Sequence, residues 1–174
     1  LQNSLSEYYK VSDMESYQEV FRAVAYFTFK YGKIHRIESH NEHWLELDAK
    51  LRTDFNVEGF KIEDVGFVKH KSQMKEVFRS AGIKVAKGNV VKSIKEALEL
   101  IKVTGYPVVI KPDVGVGASF TYKLHNANEL EAFFKDKPVV DYIMEEFIDG
   151  EICTFDGIAD FNGNISVMSS MHYG

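Results

Sequence analysis

A single cysteine, Cys153, is all the chain has, so no disulfide can close within it. That scarcity suits a reducing compartment, and a cytoplasmic location is the expectation. Positive charge is not in excess either. Lysine and arginine number 21 against 26 aspartate and glutamate, giving a formal net charge of -5 and a pI near 5.7. This argues against nucleic acid as the main partner. No apolar run approaches the roughly 20 residues that a membrane span needs, so no membrane partner is expected. A basic segment followed by an apolar one is missing at the N-terminus, and no signal peptide is expected. Internal repeats and low-complexity segments are absent. The opening Leu1-Gln2-Asn3 and a closing strand over 165–172 are expected to be internal cuts rather than natural termini. What remains is 174 residues with an ordinary apolar fraction of 45%, enough for one or two small domains with a buried core.

Along the chain, helical and strand signals alternate. Residues 13–31 predict a helix capped by Ser12 or Asp13, with Val20, Phe21, Val24 and Phe27 or Thr28 at helical spacing and Gly32 closing it. A short strand is expected over 34–39. Asn41 should cap a second helix carrying Trp44, Leu45, Leu47 and Leu51. A turn follows at 56–59, and a third helix through Met74, Val77 and Phe78 stops at Gly82. Residues 85–91 predict a strand. Ser93 with Glu96 forms a capping box opening a helix with Ala97, Leu98 and Ile101 inside. Val108-Val109-Ile110 is a continuous apolar run, expected to be a strand buried on both faces. A strand over 121–124 and a helix capped by Asn126, with Glu129 completing the box and Leu130, Phe133 and Phe134 packing, come next. Strands are expected over 139–144 and 152–159, the last joined to its successor by Phe161-Asn162-Gly163-Asn164, an Asn-Gly hairpin signal. Gly59 and Gly66 flank a charged stretch, which suggests a domain boundary there. Trp44 and most of the thirteen phenylalanines are expected in the core.

Two segments could carry chemistry. In Lys111-Pro112-Asp113-Val114-Gly115-Val116-Gly117-Ala118-Ser119 a lysine leaves the end of a buried strand, and a loop of small residues follows. Glycines let backbone N–H groups approach an anion, the lysine supplies a full positive charge, and Ser119 can donate a hydroxyl hydrogen. A flexible loop with a solvated lysine would look much the same. This is not a Walker A loop, since no Gly-Lys-Ser/Thr follows the glycines. Nor is it the dinucleotide fingerprint, since it leads into a strand. The second segment, Tyr142-Ile143-Met144-Glu145-Glu146-Phe147-Ile148-Asp149-Gly150-Glu151, ends a strand in acidic residues mixed with large apolar ones. An adenine needs an apolar slot with polar edge contacts, and a ribose needs a carboxylate. A strand end with a charged turn is the plain alternative. His35, His40 and His43 read as a surface cluster, because no ligand spacing accompanies them. Cys153 reads as a small core residue.

Together these features resemble the ATP-grasp superfamily, in its carboxylate–amine ligase branch. Gly105-Tyr106-Pro107-Val108-Val109-Ile110-Lys111-Pro112 looks like the strand delivering a phosphate-binding lysine. Gly115, Gly117 and Ser119 fall in what looks like the mobile glycine-rich loop. Glu145, Glu146, Phe147 and Ile148 look like the hinge that holds adenine, mostly through backbone. His70-Lys71-Ser72-Gln73-Met74-Lys75, leading to Ala81-Gly82-Ile83, resembles the first nucleotide lysine, at Lys71, and its helix. Asn41-Glu42 and Leu51-Arg52, followed by Gly59, resemble the linker region. The resemblance runs from about residue 35 to the end, and four motifs occur in order. Two departures stand out. His70 occupies a position where many members have Asp. Glu151, the candidate ribose ligand, directly follows Gly150, where many members place a carboxylate two residues on.

The resemblance implies an α/β (α+β) fold: a partial N-terminal α/β domain with linker over 1–64, then an ATP-grasp nucleotide-binding region over 65–174. That region would comprise the small subdomain and the first antiparallel strands of the large one, truncated at the C-terminus. It implies ATP and Mg2+, with the metal ligands expected beyond residue 174 and none assigned within the chain. The implied activity is ligation, in which a carboxylate becomes an acyl phosphate and an amine displaces the phosphate. The substrates would be small molecules, and a homodimer would be compatible. A carbamoyl-phosphate-synthase-like or biotin-carboxylase-like member acting on bicarbonate is the rival enzyme. A non-catalytic nucleotide-binding module is the rival outside enzymes.

Overall fold

The computed structural model describes residues 4–115, 117–160 and 162–173. The expectations placed on Leu1-Gln2-Asn3, on Val116 in the glycine-spaced loop and on Phe161 in the hairpin turn lie outside the described residues. Helices and antiparallel strands are mixed, so the fold is α/β as expected. The chain forms two compact units, one of Leu1–Lys84 with Asp113–Gly115, the other of Val85–Pro112 with Val116–Gly174.

The first unit is helical. Helix α1 spans Tyr17–Tyr31, with Ser16 at its N-cap and Gly32, at φ 82°, at its C-cap. It starts later than the pattern suggests, because Asp13 is engaged in a turn: its carboxylate accepts from the Glu15 amide. A 3-10 turn, Glu42–Trp44, is capped by the Asn41 side chain and runs into α2, Leu45–Asp54. Ala49, Leu51 and Val57 are buried, and the Phe21 and Phe55 rings lie 4.8 Å apart. Residues 34–39 form no strand. Their polar groups are drawn to α2 instead: Arg52 donates to Ile37 O through Nε (2.9 Å) and Nη2 (2.6 Å), and Ser39 N donates to Asp48 (2.9 Å). A short helix α3, Val65–Lys69, leads into α4, Lys71–Ser80. Gly82, with φ 75°, follows α4 as the sequence indicates.

The second unit contains a four-stranded antiparallel sheet. Its strands are β1 (Gly88–Val91), β2 (Val108–Pro112), β3 (Tyr122–Leu124) and β4 (Tyr142–Glu146), in the order β1-β4-β2-β3. Helices α5 (Ile94–Thr104) and α6 (Ala127–Asp136) start on the two expected caps, where Ser93 and Asn126 side chains accept from the Glu96 and Glu129 amides. One core joins Val91, Val108, Ile110, Leu124, Tyr142 and Met144 of the sheet to Ala97 of α5 and Leu130 of α6. Leu98 is exposed rather than inside. One residue on from Ala97 is a rotation of about 100°, and Ile101, a turn later, takes the inner position. Val109 is only half-buried, so β2 is not covered equally on both faces. Strand β4 starts later than expected: Val139 and Val140 are exposed, and pairing begins at Tyr142.

Strands β5 (Ile152–Ala159) and β6 (Ile165–Tyr173) form a separate antiparallel hairpin with a bulge at Ile158 and Ala159. Its turn is held by Asp160, whose carboxylate accepts from the Asn162 and Asn164 amides, each at 2.9 Å. A hydrogen bond from the Asn164 side chain, and after it those amide bonds, hold the Asp160 carboxyl below its ordinary value. Nearly every residue of this hairpin is exposed. Cys153 is therefore at the surface, not in a core, with Sγ 3.3 Å from His172 Nδ1 of the opposite strand. Several phenylalanines also depart from expectation: Phe29, Phe60, Phe67, Phe78, Phe120 and Phe155 are exposed. Among the described residues no helix is long and apolar enough to cross a membrane.

Candidate nucleotide site

Lys111 is the penultimate residue of β2. The register pairs Val109 with Glu145 and Lys111 with Ile143. Lys111 and Glu145 are thus diagonal neighbours on one face, the face opposite the helix-covered core. Their charged groups meet at 2.8 Å, with 27% of the Lys111 side chain and 5% of the Glu145 side chain exposed. Gly88, facing Glu145 from β1, makes room for that carboxylate. A Cβ there would lie 2.3 Å from Met144 O and 2.8 Å from both Cα and Cγ of Glu145, so no side chain fits.

Of the other residues in this acidic segment, Glu146 ends β4, and Phe147, Ile148 and Glu151 follow it. The Glu146 amide donates to Lys87 O and its Oε1 accepts from Lys87 N, both at 2.8 Å. The Phe147 amide donates to Pro107 O at 3.2 Å. The Phe147 ring lies under Lys123 Nζ, 3.4 Å from the ring centroid, close enough for a cation–π contact. Ile148 and Glu151 are exposed, and Glu151 reaches only to 3.9 Å from His172 Nδ1.

In the other unit, Lys71 is the first residue of α4, and Asp113 and Gly115 lie against it. The Lys71 amide donates to Asp113 O at 3.0 Å. Its ammonium donates to Gly115 O at 2.9 Å and approaches Asp113 O at 3.4 Å. The Asp113 carboxylate accepts from Ser72 N (2.7 Å), Ser72 Oγ (2.8 Å) and His70 Nδ1 (3.0 Å). Burial alone would push the Asp113 carboxyl up, but the hydrogen bonds from Ser72 and His70 outweigh it and hold it below its ordinary value. Further along, Gly117 takes φ 66° and Thr121 N donates to Ala118 O at 3.2 Å. Ala118 and Phe120 both adopt φ 55°, a region that residues with a Cβ enter at some cost. Ser119 is exposed beside them.

The structure therefore joins Lys111 to Glu145, and Lys71 to Gly115. It places Glu146 and Phe147 on backbone partners and leaves Ile148, Glu151 and Ser119 at the surface. Four residues that touch these side chains or segments were not singled out as candidates from the sequence: Gly88, Ser72, Asp113 and Lys123. Strand alternation offered a signal for Lys123, which pairs with Val109 and so shares the face of Lys111. Nothing local marks the other three. Among the described residues no three His, Cys, Asp or Glu side chains come together in a way that could hold a metal ion.

The family profile of the ATP-grasp domain matches residues 68–172, more than half of the chain. The carbamoyl phosphate synthase large chain of Deinococcus radiodurans is 30% identical over 117 residues, which is 61% of this chain and 11% of that protein. The chain thus spans about a tenth of the length of the curated relatives it matches. Among solved structures, an L-amino acid ligase from Bacillus licheniformis aligns with a TM-score of 0.67 at 20% identity, covering 92% of this chain and 37% of that one. The biotin carboxylase domain of a 2-oxoglutarate carboxylase from Hydrogenobacter thermophilus, a dimer holding MgADP, ADP and bicarbonate, aligns with a TM-score of 0.63 at 22% identity, covering 84% and 35%. These likenesses agree with the profile in fold, and the profile's span over both lysines, the glycine-spaced loop and the hinge strand decides the matter: the chain belongs to the ATP-grasp domain family.

Proposed function

We propose that this chain is the ATP-binding portion of a ligase that activates a carboxylate as an acyl phosphate. The observation that carries the proposal is Lys111, near the end of β2 and inside the matched region, with its ammonium held by a nearly buried carboxylate. A lysine held in this way is ready to accept a phosphate oxygen as a charge-assisted partner. Lys71 is proposed as a second phosphate ligand, with Gly115, Gly117 and Ser119 closing over the phosphates. Glu145, Glu146, Phe147 and Ile148 are proposed to hold adenine, and Glu151 the ribose. The Glu146 and Phe147 amides are already engaged by Lys87 O and Pro107 O. The base edge is then read through carbonyls of this segment and the Ile148 amide, mostly by backbone. Residues 65–174 are proposed as the nucleotide-binding region and 1–64 as the preceding domain and linker.

In the proposed reaction a carboxylate oxygen attacks the γ-phosphorus of ATP, the bond to the bridging oxygen breaks and ADP leaves. An amine then attacks the acyl carbon, and inorganic phosphate departs. Magnesium, when bound, would neutralise phosphate charge. No ligand for it is assigned among the described residues, and the chain's own contribution is the positioning and charge supplied by the two lysines. A homodimer in the cytoplasm is the proposed setting, the dimer in keeping with that of the biotin carboxylase domain.

A second reading has specific support, since the curated relatives are carbamoyl phosphate synthase large chains and one structural neighbour holds bicarbonate. In that reading bicarbonate takes the place of the organic carboxylate. Both are tested on the full-length protein with ATP, candidate carboxylates and hydroxylamine, which converts an acyl phosphate to a stable hydroxamate. Hydroxamate dependent on one carboxylate is the expected result. ADP release dependent on bicarbonate, without hydroxamate, moves the conclusion to the second reading. Neither product, with no ATP binding, overturns both.

A further inference from the structure

We propose that Asp113 is a positioning residue of the nucleotide site, fixing the base of the glycine-spaced loop to the first turn of α4 and thereby setting where the Lys71 ammonium is held. The inference rests on the reading of Lys71 as a phosphate ligand.

All of the hydrogen bonds described for Asp113 go to three consecutive residues. Its carbonyl takes the Lys71 amide, and its carboxylate takes the Ser72 amide, the Ser72 hydroxyl and His70 Nδ1. The amides of a helix's first turn have no partner inside the helix and are normally met by the residue just before it. Here that residue is His70, whose side chain makes no such bond. The cap comes instead from 41 residues further along the chain. A carboxylate at a helix N-terminus is also favoured by the helix dipole. At 4% exposure, Asp113 is screened from water far more than a surface cap would be.

Helix α4 gives this arrangement unusual weight, because none of its residues is buried. Apolar packing does little to orient its first turn, and the polar attachment to Asp113 takes over that role. The same attachment brings Gly115, two residues after Asp113, to the Lys71 ammonium at 2.9 Å. Lysine and loop base therefore form one hydrogen-bonded assembly hinged on Asp113. If its charge is removed, the loop base that carries the Asp113 and Gly115 carbonyls is attached less firmly to the first turn, and the lysine is positioned less well. Contacts to phosphate then weaken, and contacts to the nucleoside do not.

That asymmetry is the test. In the full-length protein, Asp113→Asn keeps the size of the side chain and removes the charge, and Ser72→Ala is a milder second variant that deletes only the hydroxyl. ATP and adenosine are titrated against each variant and against Lys71→Met, with a thermal melt alongside. Asp113→Asn is expected to bind ATP about tenfold more weakly, the scale of one lost charge-assisted contact, with adenosine affinity unchanged. Ser72→Ala should shift in the same direction by about threefold, a fraction of that loss. An equal loss for ATP and adenosine would make Asp113 merely structural and overturn the inference. So would ATP affinity that falls in Lys71→Met but in neither Asp113→Asn nor Ser72→Ala. ATP affinity unchanged in Lys71→Met itself would remove the phosphate role of Lys71, a failure distinguishable from that of Asp113.

Discussion

The two faces of the β1-β4-β2-β3 sheet are made from alternate residues of the same strands, yet they differ in kind. One face presents Val91, Val108, Ile110, Leu124, Tyr142 and Met144 to helices α5 and α6 and is an apolar core. The other carries Val90, Val109, Ile143, Lys111, Lys123 and Glu145, with Gly88 giving the carboxylate room. A strand's period of two puts packing and chemistry back to back. The lesson is that a charged pair can be held in place by a core to which it contributes nothing. Met144 and Glu145 are neighbours in sequence and both buried, but one lies among apolar side chains and the other against a lysine.

The largest effect expected on this contrast comes from the covered face. Leu130→Ala empties a fully buried position and should cost about 4 kcal/mol in chemical denaturation, within the usual range for a cavity of that kind. ATP affinity of the folded fraction should hardly change. If affinity fell as steeply as stability, the two faces would not be separable.

Second comes Lys111→Met on the opposite face. A solvated lysine could be replaced with little consequence for the fold, but this one neutralises a carboxylate that is 4% exposed. The substitution should cost about 3 kcal/mol, the lower end of what breaking a buried pair costs, since part of the lysine reaches water. Adding Glu145→Leu should recover most of that stability while ATP affinity stays low. Recovery of neither, or of both, would contradict the assignment of Lys111 and Glu145 to one charge pair with a binding role.

The smallest effect sharpens the comparison through pH. Burial on the covered face, with a lesser contribution from Tyr122, raises the Tyr142 phenol above its ordinary value near 10. A raised folded-state value means that stability is complete below the unfolded value and is lost as pH climbs from there through the folded one. Unfolding free energy should therefore decline above about pH 10, and Tyr142→Phe should flatten that decline. An equal alkaline slope in both proteins would show that Tyr142 ionises as freely as a surface tyrosine.

Local signals fared well wherever a short-range contact decides the structure. Ser93 and Asn126 begin α5 and α6 as their spacing to Glu96 and Glu129 indicates, because the cap bond from the third amide closes within three residues. The two glutamates reach back to the backbone amides of Lys92 and His125 rather than to those of the caps. Gly32, Gly82 and Gly105 end helices at positive φ, where a side chain would be strained. Residues 34–39 show where such signals stop working. Weak alternation suggested a strand, but a strand requires a partner, and Arg52 and Ser39 commit this backbone to α2 instead. The exposed phenylalanines and Cys153 show the same limit, since hydrophobicity gives a tendency to be covered and says nothing about what is available to do the covering.

The sequence by itself determined the family, the order of lysine, glycine-spaced loop and acidic strand end, and the apolar strand that carries Lys111, because these reside in contiguous residues with short-range rules. Only the tertiary structure decided the partners. Glu145 meets Lys111 because β4 pairs with β2 in one particular register, and Asp113 caps α4 across 41 residues. Both contacts depend on how the chain returns upon itself, and a buried charge declares its partner only when the surrounding backbone has closed around it.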